Sequence, residues 1–423
     1  MRPGRDLRDA LRSLPFKGIS LALERACGLA VVIVAAPRLG EAAFGRYAFA
    51  STVTALLAFG TDLGLGLWTT RTLARHADDR SQIVRVGLGI RALASLPYLV
   101  AVGGVLALVA DPAERAAIAL LAVAALANAF VDHFAAVLRG CDRFADEARL
   151  NTTRAAMTAI AGGGAVVVDR SLPSLCGGLV VASAVAFAAG AAMLLQRGLL
   201  RFAPRREAEG TLARRALRQS LPLWFAALLS LLYFKVDTLF VRSFSGDLEL
   251  GAYNAAYRFF EGSMMVPSVL LSVAFPRLAR AHFEPATQRR LEGQLGTLLA
   301  ALGVVVGAVF FAGAVPLVRL VFGPQFVRAA ASLRVLALGV PLVYLNYGLT
   351  HFVIARDLGR YMPWFSVLML VLNVGLDVAL VPRAGGPGAA WATALSEVAL
   401  TACCLAALRQ KGREALAPAA PPT

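Results

Sequence analysis

The sequence predicts an all-α integral membrane protein, with about twelve transmembrane helices in two six-helix lobes related by a parallel pseudo-two-fold axis. Three observations predict it. The 423 residues are 58% hydrophobic and 16% charged, with a mean hydropathy of +0.68, which leaves too little polar surface for a water-soluble domain. Apolar runs of roughly 20 residues, the length that crosses a hydrocarbon core as helix, recur throughout, as in "LPYLVAVGGVLALVA" and "LGVVVGAVFFAGAVPLV". They lack the period-2 alternation of a β-barrel. Finally, a short phrase is written twice: "LGEAAFGRY" at 39–47 and "SGDLELGAY" at 245–253 share a Gly, an acid, Phe or Leu, then Gly-x-Tyr.

The spans are expected near 17–37, 45–68, 86–110, 115–138, 148–168, 173–195, 221–242, 252–275, 292–315, 333–354, 361–381 and 388–408. Lys and Arg sort onto alternate gaps: 28 lie on the side that holds both termini, 9 on the other and 5 inside spans. An excess of basic residues marks the cytoplasmic side, so both termini are expected there. The same placement explains the net charge of +16 as orientation and contact with anionic headgroups, which argues against a nucleic-acid partner. The basic start "MRPGRDLRDALRSLPFKG" leads into a full-length span with no small-residue cleavage site, so it is read as an uncleaved first helix.

The repeated phrase falls in the first extracytoplasmic gap of each half. "RTLAR" then closes span 2 as "PRLAR" closes span 8, and "RGCDRF" at 139–144 is echoed by "RDLGRY" at 356–361. Three echoes in order on matching loops indicate a duplicated six-span unit. Six is even, so both copies keep one orientation. The expected organisation is an N-lobe over 1–195 with helices 1–6, a basic cytoplasmic connector over 196–220, a C-lobe over 221–408 with helices 7–12, and a tail over 409–423.

No metal or cofactor chemistry is indicated. Cys27, Cys141, Cys176, Cys403 and Cys404 form no CxxC or Cys/His cluster, and His76, His133, His282 and His351 are scattered. His133, beside Asp132, is expected as a packed, hydrogen-bonded pair rather than a proton relay. Function is instead sought in charges that a bilayer excludes. Arg25 lies about 12 Å along the helix from Lys17, too deep to reach headgroups easily. Glu24 is adjacent to it, but residues i and i+1 do not face one another. Arg258 and Glu261, at i and i+3, can pair on one face, whereas Lys235 and Asp237 point to different faces. Arg91 and Arg154 lie one to two turns inside and are expected to snorkel to the interface. Asp237, Asp377 and Glu397 are the remaining deep acids. A forked, permanently charged guanidinium suits phosphate or diphosphate, so the cargo is expected to be anionic. A cationic drug would require isolated acids.

"APRLGEAAFGRYAFASTVTALLAFGTDLGLGLWTTRTLAR" resembles the opening of the polysaccharide-type lipid-linked oligosaccharide flippases, the O-antigen and exopolysaccharide flippase family of the MATE-like MOP superfamily. Leu39, Gly40, Glu41, Phe44, Gly45, Tyr47, Asp62 and Gly64 fit its pattern, and the family's Pro after Gly40 is missing. "SLPLWFAALLSLLYFKVDTLFV", "LGAYNAAYRFFEGSMMVPSVLLSVAFPRLAR" and "LVFGPQF" extend the likeness over nearly the whole chain. The resemblance implies alternating access by two lobes of a multi-pass protein in the bacterial inner membrane. A polyprenyl-diphosphate-linked oligosaccharide would move from the inner to the outer leaflet for surface polysaccharide synthesis. It further implies that Arg25 and Arg258, with Glu24, Glu261 and Lys235 around them, line the substrate cavity. Asp237, Asp377 or Glu397 would carry a coupling ion, membrane lipids would surround the chain, and a polysaccharide polymerase or glycosyltransferase would be the protein partner. No catalytic residue is expected. The rival readings are a MATE-type cation or drug antiporter, a lipid II flippase, which usually has fourteen spans, and a membrane glycan polymerase or ligase, which the short outer loops disfavour.

Overall fold

A computed structural model describes residues 23–76, 79–200, 208–280 and 284–414. The start of the first span, residues 201–207 of the connector, His282 and the end of the tail lie outside the described residues. All described regular structure is helical. In chain order it comprises α1 (23–39), α2 (Glu41–Phe59), α3 (Leu65–Arg75), α4 (Arg80–Leu108), α5 (Pro112–Gly140), α6 (Phe144–Met157) and α7 (Gly164–Val168). There follow α8 (Leu172–Gln196), α9 (Ala208–Ser263), α10 (Met265–Arg280), α11 (Pro285–Ala312), α12 (Ala314–Phe322), α13 (Ala329–Ala355) and α14 (Met362–Glu414).

Among the described residues eight stretches are long and apolar enough to cross a membrane. Two of them, Glu209–Leu278 and Gly359–Gln410, run to 70 and 52 residues, far beyond the ~20 of one crossing, and they break at Gly246 and Gly385. Counting each as two, and adding α1 and the α6–α7 segment, yields the twelve expected crossings. The exterior fits a lipid solvent. Leu93, Leu96, Leu99 and Val100 of α4 and Val304, Val305 and Val309 of α11 are all more than half exposed, so apolar side chains face outward in rows. The chain is a multi-pass membrane protein.

Two compact units divide at Leu228 and Leu229. In the first, α5 packs against α2, α3 and α8. Its core joins Trp68, Leu73, Ile83, Phe134, Leu138 and Leu150. In the second, α13 packs against α10, α11 and α14, with Leu278, Phe352, Val353 and Cys404 at one centre. Helix starts follow local chemistry: Asp111 accepts from the Ala113 N–H at 3.0 Å ahead of α5, and Ser171 from the Ser174 N–H at 3.2 Å ahead of α8. In each case Pro occupies the first turn, where its missing N–H removes nothing.

The repeated phrase repeats a backbone conformation. Gly40 (φ 81°, ψ 167°) turns α1 into α2, and Gly246 (φ 79°, ψ −175°) breaks α9; residues with a Cβ rarely enter this region. Phe44 and Leu250, at the shared apolar position, are both fully buried. The third echo needs a register correction. The matching left-handed residues are Asp142 (φ 58°) and Asp357 (φ 59°), each followed by an N–H that closes back onto the helix, from Arg143 to Leu138 and from Leu358 to Val353. The two loops therefore correspond two residues away from the register that aligns their arginines. A shared helix-ending geometry, not the arginines, is what recurs.

Candidate functional site

Buried and half-buried charges collect in both units. In the first, α1, α5 and α6 bring Glu24, Asp132 and Arg154 together. The Arg154 guanidinium donates to Glu24 at 2.6 Å and to Asp132 at 2.5 Å. Arg154 is therefore held between two carboxylates and does not snorkel to the interface as the sequence suggested. A depth counted along one helix says nothing about which neighbouring helices supply acids. Glu24 is consumed by this contact. Arg25, one residue on, points elsewhere: it is exposed on α1 and makes no hydrogen bond or ion pair among the described residues.

The expectation for Arg91 is also corrected. Its side chain is only 1% exposed and pairs with Asp62, while a second donor reaches the Ala129 carbonyl at 2.6 Å. Asp62 lies in the break between α2 and α3 and also accepts from the Gly64 N–H at 3.1 Å. The Asp-x-Gly motif that supported the family resemblance thus terminates a helix and anchors a buried arginine. His133 is fully buried, but neither ring nitrogen has a hydrogen-bond partner among the described residues. Its neighbour Asp132 serves Arg154 instead, so the expected hydrogen-bonded pair does not form.

In the second unit α9 supplies Lys235, Arg258 and Glu261. Lys235 Nζ approaches Glu261 at 3.1 Å and Arg258 approaches its other oxygen at 2.8 Å. One carboxylate serves two cations. These side chains remain about a quarter to a third exposed.

Asp237 turns the other way and is buried. Its Oδ2 accepts from the Tyr253 hydroxyl at 2.7 Å and from Thr393 Oγ1 at 3.0 Å. The carboxyl of Asp377, fully buried on α14, lies within hydrogen-bonding reach of Asp237. Three oxygens of this pair, Asp237 Oδ1 and both of Asp377, receive no donor from the described residues. Asn373, one turn before Asp377, adds another unpartnered buried oxygen, Oδ1. Buried acceptors are almost always satisfied, so this cluster has the donor set for a proton or a small cation. Glu397 differs. It accepts from Tyr233 at 2.9 Å and from Asn346 Nδ2 at 2.7 Å, and Asn346 is held in turn by Thr401 at 2.8 Å.

Of the residues singled out in the sequence, the structure thus joins Lys235, Arg258 and Glu261 in one cluster and Asp237 with Asp377 in another. Glu24 is separated from Arg25, and Glu397 sits in a network of its own. Sequence reasoning missed Tyr253 and Thr393. Tyr253 carried a signal, as the last residue of the repeated phrase. Thr393 carried none.

The family model for the polysaccharide biosynthesis protein family matches residues 19–282. Among solved structures, the chain resembles a multidrug-resistance MATE family transporter of the MOP superfamily in an inward-facing conformation. The TM-score is 0.76 at 13% identity, over 95% of this chain and 100% of that one. It also resembles the lipid II flippase MurJ in an inward closed conformation (TM-score 0.73, 14% identity, 93% of this chain and 87% of that one). A third likeness is to a MATE transporter of Vibrio cholerae (TM-score 0.61, 15% identity, 95% and 98%). A search of curated proteins finds no match. At these identities the structural likenesses establish the fold.

Proposed function

Since the chain belongs to the polysaccharide biosynthesis protein family, whose model covers 19–282, and folds as a MOP-superfamily transporter, we propose that it flips a polyprenyl-diphosphate-linked oligosaccharide. The cargo would move from the inner to the outer leaflet of the bacterial inner membrane by alternating access, with both termini cytoplasmic and the two lobes duplicated as the echoes suggest. The observation that carries this reading is Arg25, an exposed guanidinium without a partner among the described residues, on a helix whose adjacent acid is already taken by Arg154. An arginine fork lacking a carboxylate is suited to diphosphate oxygens. In this reading Arg258 and Lys235 add positive charge, and Glu261 holds them in place. The pair Asp237–Asp377 takes the coupling ion, a proton or a monovalent cation, because adjacent buried carboxylates cannot both stay ionised without one.

A cation or drug exporter would need exposed acids that are free to bind. Among the acids within the expected spans the most exposed is Asp132, whose side chain is 62% exposed, and it is occupied by Arg154, which favours the anionic cargo. The test compares cells carrying the native chain, Arg25→Ala, or no copy. The readout is the amount of polyprenyl-linked oligosaccharide open to a periplasmic probe, with the inner pool quantified. Flipping predicts that the intermediate is trapped inside both without the protein and with Arg25→Ala at normal protein levels. If the intermediate reaches the outer face unchanged in cells without the protein or any functional paralogue, the proposal is wrong.

A further inference from the structure

A cavity of about 700 Å³ opens in the first unit between the end of α3, the start of α4 and the start of α9. None of the residues discussed as cargo or ion ligands lines it. Arg71 and Arg75, one turn apart on α3, and Arg215 on α9 point into it. All three are exposed, and none makes a hydrogen bond or ion pair among the described residues. Among the described residues Asp79 is the single carboxylate in the lining. Beneath this basic rim the wall is apolar, formed by Leu67, Trp68, Ile83, Leu212 and Leu223.

The walls are fixed independently of any ligand. Trp68 Nε1 donates to Gln219 at 3.2 Å, and Trp224 Nε1 donates to the Phe59 carbonyl at 3.1 Å. Arg85 closes on Glu209 through two nitrogens, at 2.8 and 3.2 Å. Gly64 packs so closely on Ser220 that a Cβ there would come within 2.6 Å of the Ser220 carbonyl oxygen. These contacts hold α9 against both sides of the α2–α3 break. The charged and apolar faces are consequently preorganised, which lowers the ordering cost of binding.

We infer that this cavity is a second binding site, for the phosphate group of an amphiphile: the three arginines hold the phosphate oxygens and the Trp68–Leu223 wall takes the first part of the hydrocarbon chain. Arginine is the side chain best matched to phosphate, through its planar donor fork, and a rim of cations above an apolar wall matches a headgroup above a chain. Two sources share that chemistry, an anionic phospholipid and a prenyl diphosphate. The site is independent of the transport reading, because it uses neither Arg25 nor the second unit.

The test uses the full-length chain in phosphatidylcholine nanodiscs, titrated with farnesyl diphosphate, phosphatidic acid, inorganic pyrophosphate and farnesol, with bound ligand counted by native mass spectrometry. Charge-assisted hydrogen bonds predict that R215Q weakens binding of the preferred amphiphile about tenfold and R71Q/R75Q/R215Q at least about a hundredfold. R289Q/R290Q on α11 of the other unit should leave it within about twofold. Preference for farnesyl diphosphate identifies a prenyl diphosphate site, and preference for phosphatidic acid a phospholipid site. Equal binding of farnesol, or a triple variant that still binds both phosphate lipids as the native chain does, overturns the proposal. Pyrophosphate binding as tightly as farnesyl diphosphate overturns the role of the apolar wall. The single variant changes one exposed side chain and keeps the test decisive should the triple variant lose thermal stability.

Discussion

The Tyr253 hydroxyl donates to Asp237 at 2.7 Å across the break at Gly246. The last residue of the repeated phrase therefore braces the two arms of α9 against each other through a buried carboxylate. Tyr253→Phe removes the shorter of the two hydrogen bonds to Asp237 Oδ2 and leaves Thr393 as its remaining donor, at a cost of about 1–2 kcal/mol. Thermal unfolding in detergent should show the loss, and Tyr47→Phe, at the matching position of the first copy, should show a smaller one because Tyr47 is only half-buried.

Gly40 and Gly246 share one backbone geometry, and a Cβ at either would meet nothing within 4 Å. Replacing each by Ala tests backbone strain without steric clash. Both substitutions should destabilise, by about 1–3 kcal/mol, and by similar amounts. A difference of more than about 1.5 kcal/mol between them in unfolding measurements would show that the two joints are not equivalent.

The Asp62–Arg91 pair is asymmetric: the carboxylate side chain is 31% exposed and the guanidinium 1%. Asp62→Ala strands a buried cation and should cost about 3 kcal/mol or more. Arg91→Met leaves an acid that water can reach and should cost less. Stability of the two single variants and the double variant, in a double-mutant cycle, checks the ordering.

Asp377→Asn supplies an amide donor beside Asp237 and removes a titrating group. Transport in proteoliposomes should then lose its stimulation by an imposed ion or pH gradient while the protein stays folded. Glu397→Gln should keep that stimulation, since both oxygens of Glu397 already have donors from Tyr233 and Asn346. Equal loss in both variants would remove the distinction drawn between the two acids.

The residues differ in how far their sequence context revealed them. Twelve crossings and the joints at Gly40 and Gly246 were legible because hydropathy and a recurring glycine act through the chain's own backbone. Arg258 with Glu261 was legible because a helix brings i and i+3 together. Arg91 and Arg154 were not. Their partners come from other helices, and a depth measured along one helix contains nothing about those neighbours. The same blindness applied to the three deep acids, which look alike in sequence and are separated only by which donors packing delivers.

Glu261 faces both Lys235 and Arg258, so this cluster carries one surplus positive charge before any cargo arrives. A diphosphate diester, doubly negative, would invert it to about one net negative charge. On the proposed cycle an inside-negative membrane potential, at about 2.3 kcal/mol per charge per 100 mV, then draws the vacant, positive cluster back toward the cytoplasm and pushes the loaded, negative one outward. One electric field would favour both strokes of the transporter.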